Sequence, residues 1–135
     1  MTYQGIIFDF NGVLWWDSHL QAQAWQQFAQ AQAGRALSDE DIATHVHGRT
    51  NRHTFEYLLQ RPLTAAEVAD LIQQKEGIYR QLCREQGADF RLSPGAVALL
   101  DDLHTRRIPL TIATASEKTN LDLFFEHGDV QRCFD

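Results

Sequence analysis

Gly5-Ile6-Ile7-Phe8-Asp9-Phe10-Asn11-Gly12-Val13-Leu14 is the stretch on which the reading of the whole chain turns. Gly5 to Phe8 carry no polar side chain, and an aspartate follows where a buried strand is expected to emerge into a glycine-containing loop. Open α/β sheets keep their chemistry at that place, in the crevice beyond the carboxyl ends of parallel strands. An aspartate there can be a nucleophile toward phosphorus, a metal ligand, or both. It can equally be an ordinary strand-to-turn residue with Asn11-Gly12 as the turn, and spacing alone leaves both readings open.

Outward from this stretch the pattern changes to helices. Ser18 is expected to cap a helix running to about Gly34, with Leu20, Ala24, Trp25 and Phe28 on one face and Gly34 as its left-handed stop. The Gln/Ala-rich filling of that segment favours helix over disorder. Ser38 with Asp41 reads as a capping box for a short helix over about 39–46 that turns Ile42 and Val46 inward, ended by Gly48. The next helix, after Arg49-Thr50-Asn51-Arg52, carries Phe55, Leu58 and Leu59 and is stopped by Pro62. Thr64 with Glu67 is a second capping box and opens a long helix over about 65–86, striped by Val68, Leu71, Ile72, Lys75, Ile78, Tyr79 and Leu82.

The α/β pattern returns at Ser93-Pro94-Gly95, where Ser93 is expected to cap and Pro94 to occupy the first position of a helix bearing Val97, Leu100 and Leu103. Ile108 to Ala113 then reads as a short strand ending in Thr114-Ala115-Ser116, ahead of a helix with Leu121, Phe124 and Phe125. This second strand-to-helix junction belongs at the same sheet edge as Asp9. The Thr114 hydroxyl and the backbone N–H groups of Ala115 and Ser116 would suit a phosphate at a helix N-terminus; a plain helix cap is the alternative. The fold class expected is α/β, a Rossmann-like parallel-sheet core over 1–17 and 88–135 with an all-helical insert over 18–87. Two strands leave sheet edges unpaired and Phe124, Phe125 and Phe134 poorly covered, so the sheet core reads as incomplete.

At 135 residues and 44% apolar, the chain has the make-up of an ordinary folded protein, and no apolar run approaches the ~18 residues of a membrane span. With no leader pattern ahead of the first strand, a cytoplasmic location is expected. A net charge of -6 without a Lys/Arg-rich cluster argues against a nucleic-acid partner. Cys83 and Cys133 lack metal or disulfide spacing, and the six histidines form no ligand pattern.

Asp9-Phe10-Asn11-Gly12-Val13-Leu14 followed by Asp17-Ser18 resembles the first signature of the haloacid-dehalogenase-like hydrolases, and Ile112-Ala113-Thr114-Ala115-Ser116 resembles their second. The helical insert, with His47-Gly48-Arg49-Thr50, is similar to the cap of the β-phosphoglucomutase-like branch, and Ser93-Pro94-Gly95 is usual there. The resemblance implies a magnesium-dependent phosphatase-like hydrolase, or a phosphomutase relative, of a small phosphorylated metabolite. Asp9 would form an aspartyl-phosphate and hold Mg²⁺ together with the backbone carbonyl of Asn11. Thr114, Ala115 and Ser116 would hold the phosphoryl oxygens, and Gly48, Arg49, Thr50 and Arg52 would read the substrate from the cap.

Two departures qualify that likeness. The family's usual aspartate at position 11 protonates the leaving oxygen and activates water, and the amide of Asn11 does neither, so slow turnover or a lasting phospho-enzyme is expected. The third and fourth signatures, a basic residue and an acidic pair, belong downstream of Phe134-Asp135; a fragment, a truncated reading frame or a swapped homo-oligomer is therefore expected. Lys118 reads as a surface residue rather than a stand-in for the missing base. His19 and His47 are weaker substrate candidates, and Trp15 and Trp16 are expected to wall the crevice, form the hinge, or pack. A catalytically inactive binding protein and a magnesium-independent haloacid dehalogenase are the competing functions.

Overall fold

The computed structural model describes residues 4–134. The chain divides into two compact units, one comprising residues up to Ser18 with those from Gln86 onward, the other His19–Glu85. These breaks fall beside the 17/18 and 87/88 boundaries drawn from the sequence.

In the α/β unit, β1 (Ile6–Phe8) and β2 (Leu110–Ile112) pair in parallel with Ile6, Ile7 and Phe8 opposite Leu110, Thr111 and Ile112. Parallel pairing needs a long crossover. Everything between the strands supplies it. Phe10, Leu14 and Trp15, just after β1, turn inward and are at most 3% exposed. The Trp15 ring lies 3.8 Å from Phe90 and 4.8 Å from Phe124 between centroids, and Phe124 lies 5.0 Å from Phe10. Burying each such ring is worth about 1.5–3 kcal/mol, so this aromatic knot is the main support of the loop that follows Asp9.

Three expectations are corrected here. Ile7 was expected in a buried strand and is 70% exposed, because the described residues form only a two-stranded sheet and one of its faces is uncovered. Phe124, expected to be poorly covered, is fully buried by Phe10 and Trp15, whereas Phe125 and Phe134 are half-buried. Ser93 does not cap a helix. Its hydroxyl donates to the Val13 carbonyl and its N–H to the Leu14 carbonyl at 2.9 Å. The cap of helix α5 (Ala96–Thr105) is Gly95 at φ 81, a left-handed conformation in which glycine carries no Cβ penalty. On that helix Ala96, Leu100 and Leu103 are buried and Val97 is 47% exposed. Helix α6 (Lys118–Gly128) completes the unit.

The helical unit holds α1 (Ser18–Ala33, beginning one residue before it), α2 (Asp39–Asp41), α3 (Asn51–Leu59) and α4 (Ala65–Glu85). Both capping boxes form. Asp41 N–H donates to Ser38 Oγ at 3.1 Å and Ser38 N–H to Asp41 Oδ2 at 2.8 Å; Thr64 N–H donates to Glu67 Oε2 at 2.8 Å. Tyr57 O–H with the Ser38 groups lowers the Asp41 carboxyl from 3.8 to about 2, and Arg61 with the Thr64 groups lowers Glu67 from 4.5 to about 2. The short helix expected to continue to 46 instead widens into a π-turn over Ile42–Val46, closed by His47 N–H on the Ile42 carbonyl at 2.9 Å. Trp25, Phe28, Leu37, Phe55, Leu58 and Leu63 make the core. Gln26 serves Leu37 as a strand partner would, its amide accepting the Leu37 N–H at 2.9 Å and donating to the Leu37 carbonyl at 2.6 Å.

Candidate active site

Asp9 stands one residue past the last paired residue of β1 and is exposed. Its Oδ1 accepts the Phe10 N–H at 2.7 Å. The chain then coils tightly, the Phe10 carbonyl accepting the N–H groups of Val13, Leu14 and Trp15 at 3.2, 3.0 and 3.2 Å. Gly12 sits at φ 75, which a side chain would resist, and its N–H meets the Trp15 carbonyl at 2.7 Å.

Besides the aromatic knot, this coil is fixed by Asp17, only 1% exposed. Its Oδ2 accepts the Asn11 amide at 2.6 Å and its Oδ1 accepts the Gly12 N–H at 3.1 Å. A buried carboxylate is costly unless hydrogen-bonded, so these bonds hold position 11 in one orientation. Sequence reading quoted Asp17 only as the tail of a motif. The signal for its structural work was an acid closing an otherwise apolar run, Val13 to Trp16.

β2 brings Thr114 to the same edge. Ala113 N–H donates to the Phe8 carbonyl at 2.9 Å, so Thr114 and Asp9 follow the two strand ends side by side. Thr114 is half-buried and its Oγ1 accepts the Ser116 N–H at 3.0 Å; Ser116 Oγ accepts from the Asn120 amide at 3.1 Å. Helix α6 starts at Lys118 with Glu117 as N-cap and without a side-chain cap bond. Neither Thr114 nor Ser116 is the N-cap of α6, since Thr114 Oγ1 serves the Ser116 N–H and Ser116 Oγ the Asn120 side chain. The Ser116 N–H, expected to point at a ligand, is bonded to Thr114, and Ala115 between them is exposed.

The insert residues are placed as follows, within the helical unit alone. Gly48 has φ 67 and Thr50 is the N-cap of α3, accepting the His53 N–H at 3.3 Å. Arg49 Nε donates to the Thr44 carbonyl at 3.0 Å, and Arg52 pairs with Glu56 at 3.2 Å and donates to the Leu63 carbonyl. Both guanidiniums thus spend donors on their own unit. His19 and His47 are exposed. Lys118 pairs with Asp122 at 2.7 Å and is 84% exposed in its side chain, as a surface lysine would be. Trp15 packs and Trp16 does not, at 2% and 62% exposure. His45, on the π-turn rather than a strand, stacks its ring on Tyr57 at 3.7 Å between centroids, and its Nδ1 lies 3.4 Å from His53 Nε2.

For a magnesium ion the donor types at this edge fit: an exposed carboxylate at Asp9 and a peptide carbonyl at Asn11 are the oxygen ligands such an ion takes, with water and phosphate completing its shell. No group of three or more His, Cys, Asp or Glu that could hold a metal occurs among the described residues. No helix among the described residues is long and apolar enough to cross a membrane.

A parallel pair with an acid and a hydroxyl at its carboxyl edge, interrupted in sequence by a helical unit, is an α/β architecture with its candidate site where open α/β sheets keep their chemistry. Residues 6–135 match the family model of the haloacid dehalogenase-like hydrolases, and this chain belongs to that family. Among solved structures it is similar to a HAD hydrolase, family IA, variant 3, from Entamoeba histolytica at 31% identity and TM-score 0.89, covering 98% of this chain and 58% of that one. It is also similar to CbbY from Rhodobacter sphaeroides in complex with phosphate (19%, TM-score 0.78, 99% and 62% covered). A β-phosphoglucomutase from Clostridium difficile gives 20%, TM-score 0.75 and coverage of 99% and 60%. The last two share the fold. The chain spans about three-fifths of the length of the structures it matches.

Proposed function

We propose that this chain carries the nucleophile and phosphate-holding loop of a magnesium-dependent phosphatase-like hydrolase, or a phosphomutase relative, acting on a small phosphorylated metabolite. The observation that supports this reading most is the parallel register of β1 and β2, whose carboxyl ends lead out at one sheet edge, β1 into Asp9 and β2 through Ala113 into Thr114. In the proposed reaction an Asp9 carboxylate oxygen attacks phosphorus and the bond to the substrate oxygen breaks, giving an aspartyl-phosphate and an alkoxide that takes a proton from water. Water then attacks phosphorus, the bond to the Asp9 oxygen breaks, and inorganic phosphate leaves with Asp9 restored as a carboxylate. Thr114 Oγ1 and the neighbouring backbone would face the phosphoryl oxygens. A bound Mg²⁺, held by Asp9 and the Asn11 carbonyl, would supply charge neutralisation of the phosphoryl group. The side chain of Asn11 neither gains nor loses a proton near neutral pH, and its amide N–H is donated to Asp17.

The test is release of p-nitrophenol from p-nitrophenyl phosphate with and without Mg²⁺, in the 135-residue chain and in a C-terminally extended form. Asp9→Ala is expected to abolish turnover, and Asn11→Asp to raise it by about 10²–10⁴-fold, the usual range of general acid-base help. Activity untouched by Asp9→Ala would remove the nucleophile from the scheme. The dehalogenase alternative predicts halide release from a 2-haloacid that magnesium leaves unchanged.

A second reading, a ligand-binding protein without turnover, is favoured by the 2.6 Å bond that commits the side chain of residue 11 to Asp17. It gains if sugar phosphates bind by calorimetry while neither extension nor Asn11→Asp yields product.

A further inference from the structure

Trp16 is an anomaly in a segment that otherwise hides its aromatic rings, standing 62% exposed next to a Trp15 that is 2% exposed. It forms one wall of a cavity of about 500 Å³ whose other walls are Asp89, Arg91, Leu92 and Pro94. That volume lies within the range of small-ligand pockets. Asp89 and Arg91 are both exposed, and their side chains make no hydrogen bond or ion pair among the described residues. An indole, a proline ring and a leucine thus offer flat apolar contact, with a carboxylate and a guanidinium at hand for polar groups. Ring stacking on tryptophan, hydroxyl donation to a carboxylate and a forked guanidinium contact to phosphate are the three interactions a mononucleotide needs.

We propose that the Trp16–Arg91 cavity binds a purine mononucleotide, its base on Trp16, its ribose hydroxyls donating to Asp89 and its phosphate on Arg91. This goes beyond the reaction proposed for Asp9 and does not depend on it. The test uses calorimetry in magnesium-free buffer with adenosine 5′-monophosphate, adenosine and inorganic phosphate as probes. The monophosphate is expected to bind and to quench tryptophan emission, adenosine to bind roughly tenfold more weakly, and phosphate alone not to quench. Trp16→Ala and Arg91→Gln are each expected to weaken the monophosphate by about tenfold or more, whereas Trp16→Phe and Asp9→Ala retain it. Unchanged far-ultraviolet circular dichroism and thermal midpoint, expected for side chains this exposed, keep the comparison free of misfolding. The proposal is overturned if the monophosphate does not bind at millimolar concentration, if Trp16→Ala and Arg91→Gln leave its affinity unchanged, or if Asp9→Ala alone removes it.

Discussion

The helical unit gathers its apolar side chains around themselves, whereas the α/β unit leaves part of its own sheet in water. Phe28, Ala29 and Phe55 are wholly buried among neighbours from α1 and α3, and the Trp25 ring lies 5.4 Å from that of Phe55. In the sheet, Ile7 is 70% exposed and each strand has a single neighbour among the described residues. The contrast teaches that the helices obtain their order from periodicity and caps written nearby in sequence, and the strands from partners far away. It also separates what holds the chain from what would act: the proposed nucleophile, Asp9, belongs to the less covered unit and leads into a loop fixed by Asp17 and an aromatic knot.

Several measurements would break or sharpen this comparison. The largest expected effect is at the centre of the helical core, where Phe55→Ala should cost about 3–5 kcal/mol in urea unfolding, through lost burial and the cavity left behind. A much smaller loss would mean that the core is looser than its packing. Next is the buried pair on α4. Lys75 Nζ lies 2.6 Å from Glu76 and 2.8 Å from Gln21, and both charged side chains are at least nine-tenths hidden. Lys75→Met should cost about 3 kcal/mol by leaving a carboxylate in a dry place, and the double change Lys75→Met/Glu76→Leu should recover most of it.

Acid provides the third measurement. Asp41 and Glu67 have folded values near 2, below their ordinary 3.8 and 4.5, so the unfolded chain binds their protons first. Their contribution is therefore complete above about pH 5 and is lost as pH falls through 4.5 toward 2. Amide protection in the helical unit, taken relative to the intrinsic exchange rate at each pH, should fall over that window, and the fall should shrink in the variant Asp41→Asn/Glu67→Gln. The smallest effect belongs to the sheet: Ile7→Thr should change stability by no more than about 0.5 kcal/mol in the 135-residue chain. A large loss there would show that something covers this face in solution.

Much of the fold was legible because the informative residues act on their own neighbourhood. Ser38 with Asp41 and Thr64 with Glu67 are reciprocal hydrogen bonds spaced by one helical turn, and Gly34 marks the left-handed end of α1 as expected. The Asp9 and Thr114 junctions were legible for a related reason, since an apolar run ending in a polar residue and a turn marks a strand end. What escaped were bonds made across distance. Ser93 looked like a cap but reaches Val13, 80 residues away. Gln26 looked like helix filling but satisfies the backbone of Leu37. Asp17 closes an apolar run, but which groups it binds shows only when its partners at Asn11 and Gly12 are seen. Nor could two adjacent tryptophans be told apart, because which one faces inward depends on how tightly the loop coils.

The wide turn over Ile42–Val46 has one further consequence. It accommodates one residue more per turn than a regular helix would, and the surplus places the His45 carbonyl where the Thr54 hydroxyl reaches it at 2.6 Å. Loss of a single codon there, at Ala43 for example, would leave a respectable α-helix while swinging every later carbonyl about 100° around its axis. Such a deletion would spare the helix and unlatch its neighbour, a lesion that secondary-structure content alone would never betray.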